Sequence, residues 1–234
     1  MALQIQLSTD FAPSNVNFSK LRKNKMGGKA VYLSSTGNNK LYLQFPYMRA
    51  PFGLSSYTDE ATKKTSYSLD LSLDKSDPKA IDLAEKLTAL DDLILKTVEA
   101  NSEEWLGKKY ALAVMKEALY KPMVRPGKGD YASTIKLKIL TDSKTGGFIP
   151  EAYNTRREKV ELDAIEKGQK VMAIVDINQI WFIDNKFGVT VRLQQCLLEP
   201  SKKLPSFAFQ GVDVEEAEEE EVEYEEEEEE VDAQ

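Results

Sequence analysis

Residues 67–87 read YSLDLSLDKSDPKAIDLAEKL, and two hydrophobic periods meet inside them. Up to Asp74 the pattern alternates. Tyr67, Leu69, Leu71 and Leu73 point one way and Ser68, Asp70, Ser72 and Asp74 the other, as a half-buried strand requires. Beyond KSDP the period lengthens: Ile81, Ala84, Leu87, Leu90, Ile94 and Val98 recur at helical spacing, which predicts an amphipathic helix over 78–100. Asp77 can cap its free N–H groups, and Pro78 sacrifices nothing at the first helical position. A strand that passes into a helix this way makes the chain mainly β with inserted helices, provided its other segments alternate too.

They do. KAVYLSS sets Val31 and Leu33 against Tyr32, and KLYLQFPY sets Leu41, Leu43, Phe45 and Tyr47 against Tyr42 and Gln44, with the turn STGNN between the two runs. STIKLKIL turns Ile135, Leu137 and Ile139 inward and Lys136 and Lys138 outward. KVMAIVDINQIWFID and FGVTVRLQQCLL form a last pair around a tight turn near Asp184–Lys186. In its second strand Phe187, Val189, Val191, Leu193 and Leu197 share the inner face, while Thr190, Arg192 and Gln194 share the outer one. A second helix is expected from Ser102 to about Leu119, weakened by Gly107. Five or six short strands, each with one apolar face and interrupted by a two-helix insertion, point to a small closed or partly closed barrel, since full closure would remove unpaired edges. The expected layout is an N-terminal arm over 1–27, a barrel domain over 28–200 with a helical insertion at about 78–120, a linker over 201–212 and a tail over 213–234.

Charge divides the chain unequally. The whole carries 31 Lys+Arg and 39 Asp+Glu, a net −8, but residues 213–234 hold fifteen acids and no base. Without them 24 acids face 31 bases, so the body is +7 and the tail is a tethered polyanion. Such a tail has almost nothing to bury and is expected to be disordered. A basic body suits a polyanionic partner, for which the tail would compete at high effective concentration.

Several chemistries are poorly served. There is no histidine, the commonest general base and metal ligand, and a single cysteine, Cys196, so a structural zinc site and an internal disulfide have no ligands or partners to draw on. No P-loop, GxSxG or GxGxxG spacing occurs. The expectation is a protein with no catalytic residues, no metal and no cofactor. The N-terminus has no charged start followed by an apolar stretch, and no apolar run reaches the roughly 20 residues that span a bilayer, so an intracellular protein without membrane contact is expected. The enzymatic rival is a metal-dependent nuclease built on Asp70, Asp74 and Asp82. It is weak, because the first two are simply the outward positions of an alternating strand and the third belongs to a helix.

The outward positions and loops combine bases with rings: Tyr32, Tyr42, Arg49, Phe52, Tyr131, Lys136, Lys138, Trp181, Lys186 and Arg192. Taken singly, each is an ordinary solvated side chain. Together they suit single-stranded nucleic acid, since cations follow the phosphates while rings stack on bases. Trp181 has two readings. Its register matches Val171, Ala173, Val175 and Ile177, which would bury it, whereas a bulge in Asp176–Gln179 would turn it out.

YSLDLSLDKSDPKAIDLAEKL resembles the strand, acidic turn, Asp-Pro and helix of the single-stranded-DNA-binding proteins of podovirus-type bacteriophages. KLYLQFPYMRAPFGLS and IWFIDNKFGVTVRLQQCLL resemble still more closely their relatives in large DNA viruses of algae and protists. The resemblance covers about half the chain. It implies a five-stranded OB-fold barrel with an inserted helix, sequence-tolerant binding of single-stranded DNA, and roles in viral replication, recombination and repair inside the infected cell. It also implies that the strands of Trp181 and Arg192 border the groove. The acidic tail, with Glu215, Glu220, Tyr224 and Glu230 along it, would contact replication proteins such as DNA polymerase and helicase-primase, and a second subunit in a homodimer. Phage members end in an aromatic residue where this chain reads Val-Asp-Ala-Gln, so Tyr224 is the ring that could take that part. A rival of another class is an acidic-tailed chaperone for basic proteins, in which the glutamates work and the barrel is a scaffold.

Overall fold

A computed structural model describes residues 4–23, 27–200 and 208–210. The long alternating runs become a curled sheet. Its members are β1 (Ile5–Leu7), β2 (Lys29–Ser34), β3 (Tyr42–Gln44), β4 (Met48–Arg49), β5 (Leu54–Thr58), β6 (Thr65–Leu73), β7 (Ser133–Ile139), β8 (Glu151–Asn154), β9 (Lys170–Ile183) and β10 (Lys186–Leu198). The stretch β3–β4–β5 bends so that its first half pairs with β9 and its second half with β6. β6 pairs antiparallel with β7, β7 lies parallel to β10, and β10 returns antiparallel along β9. The ring is therefore closed, with five strand paths in the order of an OB-fold barrel, and the chain is mainly β with inserted helices.

Closure follows from burial. Leu43, Phe45, Leu69, Leu71, Ile135, Leu137, Val171, Val175 and Phe187 have no exposed surface and meet in one core. Each aliphatic side chain so buried is worth roughly 1.5–3 kcal/mol relative to exposure. α1 (Pro78–Ala100) enters between β6 and β7; Asp77 caps it by accepting from the Lys79 N–H at 2.9 Å, and Pro78 opens the first turn. Its inner stripe is Ala80, Leu83, Leu87, Leu90, Ile94, Leu95 and Val98, one step away from the expected line at its start, so Ile81 stays 40% exposed and Ala84 is only partly buried. The expected second helix is divided. α2 (Ser102–Leu106) stops where Gly107 turns left-handed at φ 75°, and a further helical turn begins at Leu112.

One expectation of inner and outer face fails, and the reason is a bulge. In β10 the register slips between Ile174 and Val175 of the partner strand, after which Cys196 and Leu198 face the core and Leu197 turns out. Leu197 then lines, with Met172 and Ile174, a shallow cavity of about 390 Å³. The N-terminal arm is more than an appendage. β1 pairs with β3, Phe11 and Val16 are 3% and 6% exposed, and α1 packs on the turns at Ser8–Asp10 and Pro13–Asn15. The described residues up to 200 belong to one compact unit. The linker over 201–212, apart from 208–210, and the acidic tail lie outside the described residues.

Candidate functional site

Cross-strand pairing decides which outward side chains become neighbours. Tyr42 stands opposite Asp176, Asp176 opposite Arg192, Arg192 beside Lys138 and Lys138 opposite Ser68, so one row crosses five strand paths. A second row runs Tyr32, Gln179, Thr190. The third runs Ala30, Trp181, Gly188, Lys121, the last from a short strand Tyr120–Lys121 that lies parallel to the start of β10.

Trp181 owes its place to the second bulge of β9. Between Ile177 and Gln179 the strand gains a residue, Asn178, and the alternation changes phase. Ile180 and Phe182, at 0% and 5% exposure, then take the core positions, and Trp181 turns to the outer face. Its ring lies over Gly188. A methyl group there would come within 2.8 Å of Trp181 Cζ2 and 3.0 Å of Lys121 Cβ, so glycine is what lets the indole approach the strand this closely.

The rows are strongly charged. Arg22 sits 5.3 Å from the Tyr32 ring and Lys40 5.7 Å from the Tyr42 ring, each close enough for a cation–π contact. Lys136 pairs with Asp70 at 3.9 Å. Asp176 is 3% exposed, and burial raises its pKa above the ordinary carboxylate value while the charges of Lys40 and Arg192 oppose that rise. Asn178 donates to Asp176 Oδ2 at 3.2 Å. Arg192 Nε is buried without a hydrogen-bond partner among the described residues, and a buried donor left in that condition costs about 1–3 kcal/mol.

The structure thus turns Tyr32, Tyr42, Lys136, Lys138, Trp181 and Arg192 to the outer surface of the barrel, in rows linked from strand to strand. Lys186 joins it at the hairpin turn opposite Ile183, beside a left-handed Asp184 (φ 53°). Tyr131, 81% exposed, stands in the loop that leads from Arg125, the partner of Thr134, into β7. Arg49 and Phe52 are elsewhere. Arg49 pairs with Lys170 at the far end of β9, its guanidinium against Gly168, and Phe52 precedes Gly53, which abuts the backbone of Ile165. Glu215, Glu220, Tyr224 and Glu230 lie outside the described residues.

Thr190 is on the face as its alternation predicts, whereas Lys121, Gln179, Arg22 and Lys40 belong to it without having been singled out by alternation. Lys121 sits in a Gly/Pro-broken basic stretch whose pairing with β10 leaves no periodic mark, and Arg22 and Lys40 reach the rings from outside the long strands. The three acids of the nuclease reading have separate employment: Asp70 pairs with Lys136, Asp74 accepts from the Ser76 N–H at 2.9 Å, and Asp82 pairs with Lys86 at 2.9 Å. Among the described residues no group of three or more acids and cysteines is placed to hold a metal ion.

Among solved structures the chain is similar to gp2.5, a single-stranded DNA binding protein encoded by bacteriophage T7, at 14% identity and TM-score 0.47, covering 72% of this chain and 91% of that one. It is similar also to the single-stranded DNA-binding protein from bacteriophage Enc34 in complex with ssDNA, at 16% identity and TM-score 0.41, covering 79% and 97%. A curated relative, uncharacterized protein L291 of Acanthamoeba polyphaga mimivirus, is 25% identical over 156 residues, 67% of this chain. The chain spans about a quarter of the length of that relative. Residues 69–213, more than half of the chain, match a family of unknown function (DUF5871), and the chain belongs to that family.

Proposed function

We propose that the chain is a single-stranded-DNA-binding protein that acts in viral DNA replication, recombination and repair at the replication site of the infected cell. The observation that carries this reading is the row Tyr42–Asp176–Arg192–Lys138, with Tyr32 and Trp181 on the same outward face. Phosphates would follow Arg192, Lys138 and the cations around the rings, while bases stack on the indole and the tyrosines, each stack worth about 1–3 kcal/mol. Paired bases hide their faces in the duplex stack, so the same surface should favour unpaired strands. The acidic tail acts as a tethered competitor for this face and, once displaced by DNA, as a contact for replication proteins such as DNA polymerase and helicase-primase or for a second subunit.

The test is a titration of the full chain with oligo-dT, oligo-rU and duplex DNA of equal length, followed by tryptophan emission. Of the two tryptophans Trp105 is buried at 5% exposure, so a change on binding reports Trp181. Tight, salt-sensitive binding of oligo-dT with quenching is expected. Equal affinity for duplex, or no binding, would sink the reading.

A further inference from the structure

α1 carries a buried acid that the face described above does not use directly. Asp91 is 6% exposed in the middle of the helix. Its carboxylate accepts the Tyr120 hydroxyl and, at 3.1 Å, the Met123 N–H. These contacts tie both ends of the segment 120–123 to the helix. The Tyr120 ring packs on Phe187 with centroids 5.1 Å apart, and Tyr120–Lys121 lies in parallel register with Phe187–Gly188. Side chains alternate along a strand, so the residue after the anchored tyrosine must point away from the core. That residue is Lys121, and it emerges against the same glycine that seats the indole of Trp181.

An acid inside an apolar helix face destabilises the fold unless it is hydrogen-bonded, whereas a leucine would fill the stripe without needing partners. Here it fixes a short strand that has only two residues of its own pairing. Lys121 has no acidic partner within ion-pair distance among the described residues, unlike Lys136 with Asp70. Its ammonium is therefore available to an anion beside the stacking ring. We propose that Lys121 is a phosphate contact next to Trp181 and that Asp91, through Tyr120 and Met123, is the positioning residue that holds it there. The proposal rests on the single-strand reading and adds a lysine and its buried support to the face.

The experiment measures oligo-dT affinity of the full chain against salt concentration for Lys121→Ala, Lys121→Arg, Tyr120→Phe, Asp91→Ala and the double variant Tyr120→Phe/Lys121→Ala, each with a thermal melt. Arg192→Ala serves as the reference for the face itself. Loss of one phosphate contact should lower the salt slope by about 0.7. Lys121→Ala should show that loss and Lys121→Arg should restore it. Tyr120→Phe, which keeps the ring and removes only the hydroxyl, should lower the slope in part, and adding Lys121→Ala should then cost less than it does alone. Should Asp91→Ala fail to fold, Tyr120→Phe still decides the matter. A melting temperature that falls in Tyr120→Phe while the slope stays put would make the network merely structural and overturn the positioning role. An unchanged slope in Lys121→Ala, with Arg192→Ala weakened, would remove Lys121 and leave the single-strand reading standing; if neither variant changes binding, that reading itself falls.

Discussion

Single residues show how little separates a core ring from a stacking one. Trp181 continues the spacing of Val171, Ala173, Val175 and Ile177, and one extra residue at Asn178 moves it to the outside. Trp181→Ala should therefore weaken oligo-dT binding by roughly 1–3 kcal/mol. Its cost in a melt should stay below the roughly 3–5 kcal/mol of a buried tryptophan. A melt as damaged as that of a core variant, with affinity unchanged, would return the ring to the interior. Asp91 titrates against the usual direction for an acid. Burial raises its pKa from 3.8 to about 6, and the bonds from Tyr120 and Met123 only partly offset the rise. The folded chain then binds this proton more tightly than the unfolded chain, so the stability that Asp91 confers is greatest below about pH 4 and declines as pH rises through 6. At roughly 1.4 kcal/mol per unit the decline is about 3 kcal/mol. The difference in unfolding free energy between the native chain and Asp91→Ala should shrink by about that much between pH 4 and pH 7. A difference independent of pH would contradict it.

At the scale of elements, the two inserted features differ in how they are written. The start of α1 is local chemistry: Asp77 accepts from Lys79 at 2.9 Å, and Pro78 opens the first turn. Asp77→Ala should cost about 1 kcal/mol in a urea melt. It should leave oligo-dT affinity alone, because the cap touches none of the rows. A stability change within error would mean that the turn below, where Asp74 holds Ser76, already fixes the helix start. The strand Tyr120–Lys121 is the opposite case. Nothing in KPMVRPGKGDY announces a strand, and two residues pairing with Phe187–Gly188 are held by a helix nearly thirty positions earlier. Bulges belong with it. Each inserts one residue into a regular alternation, and each reverses the face of the residues beyond it, Trp181 in β9 and Leu197 in β10.

The molecule as a whole is an electrostatic pair, a +7 body and a tail with fifteen acids. Within the body the bases are not equivalent. Lys136 shares Asp70, whereas Lys138 and Arg192 stand side by side with no ion pair among the described residues. Lys138→Ala and Arg192→Ala should each lower the salt slope of oligo-dT binding by about 0.7. Lys136→Ala should do so by less, since Asp70 already claims part of its charge. Equal effects in all three would mean that DNA displaces Asp70 freely. Truncation after Val212 should raise affinity for oligo-dT, most at low salt, where the Debye length is about 10 Å at 0.1 M against about 3 Å at 1 M. The same truncation should abolish capture of replication proteins. Equal affinity at low salt with and without residues 213–234 would reduce the tail to an aid to solubility.

What residues 67–87 and the other alternating runs determined on their own is the set of long strands, the capped helix and, as far as the bulges, the side of each long strand that meets the core, because burial of apolar area acts locally and periodically. The sign asymmetry of body and tail is likewise plain in composition. Neighbourhood across strands is another matter. That Tyr42, Arg192 and Lys138 stand in one row while Arg49 and Phe52 lie apart depends on the register between strands as distant in the chain as those of Tyr42 and Asp176. Register is set by closure of the barrel and by the two bulges, and neither has a periodic signature. Only the folded sheet could therefore choose which of the predicted bases and rings share a surface, and only there does Asp91 come to support Lys121 beside Trp181, since burial and pairing in three dimensions, not spacing in one, decide who meets whom.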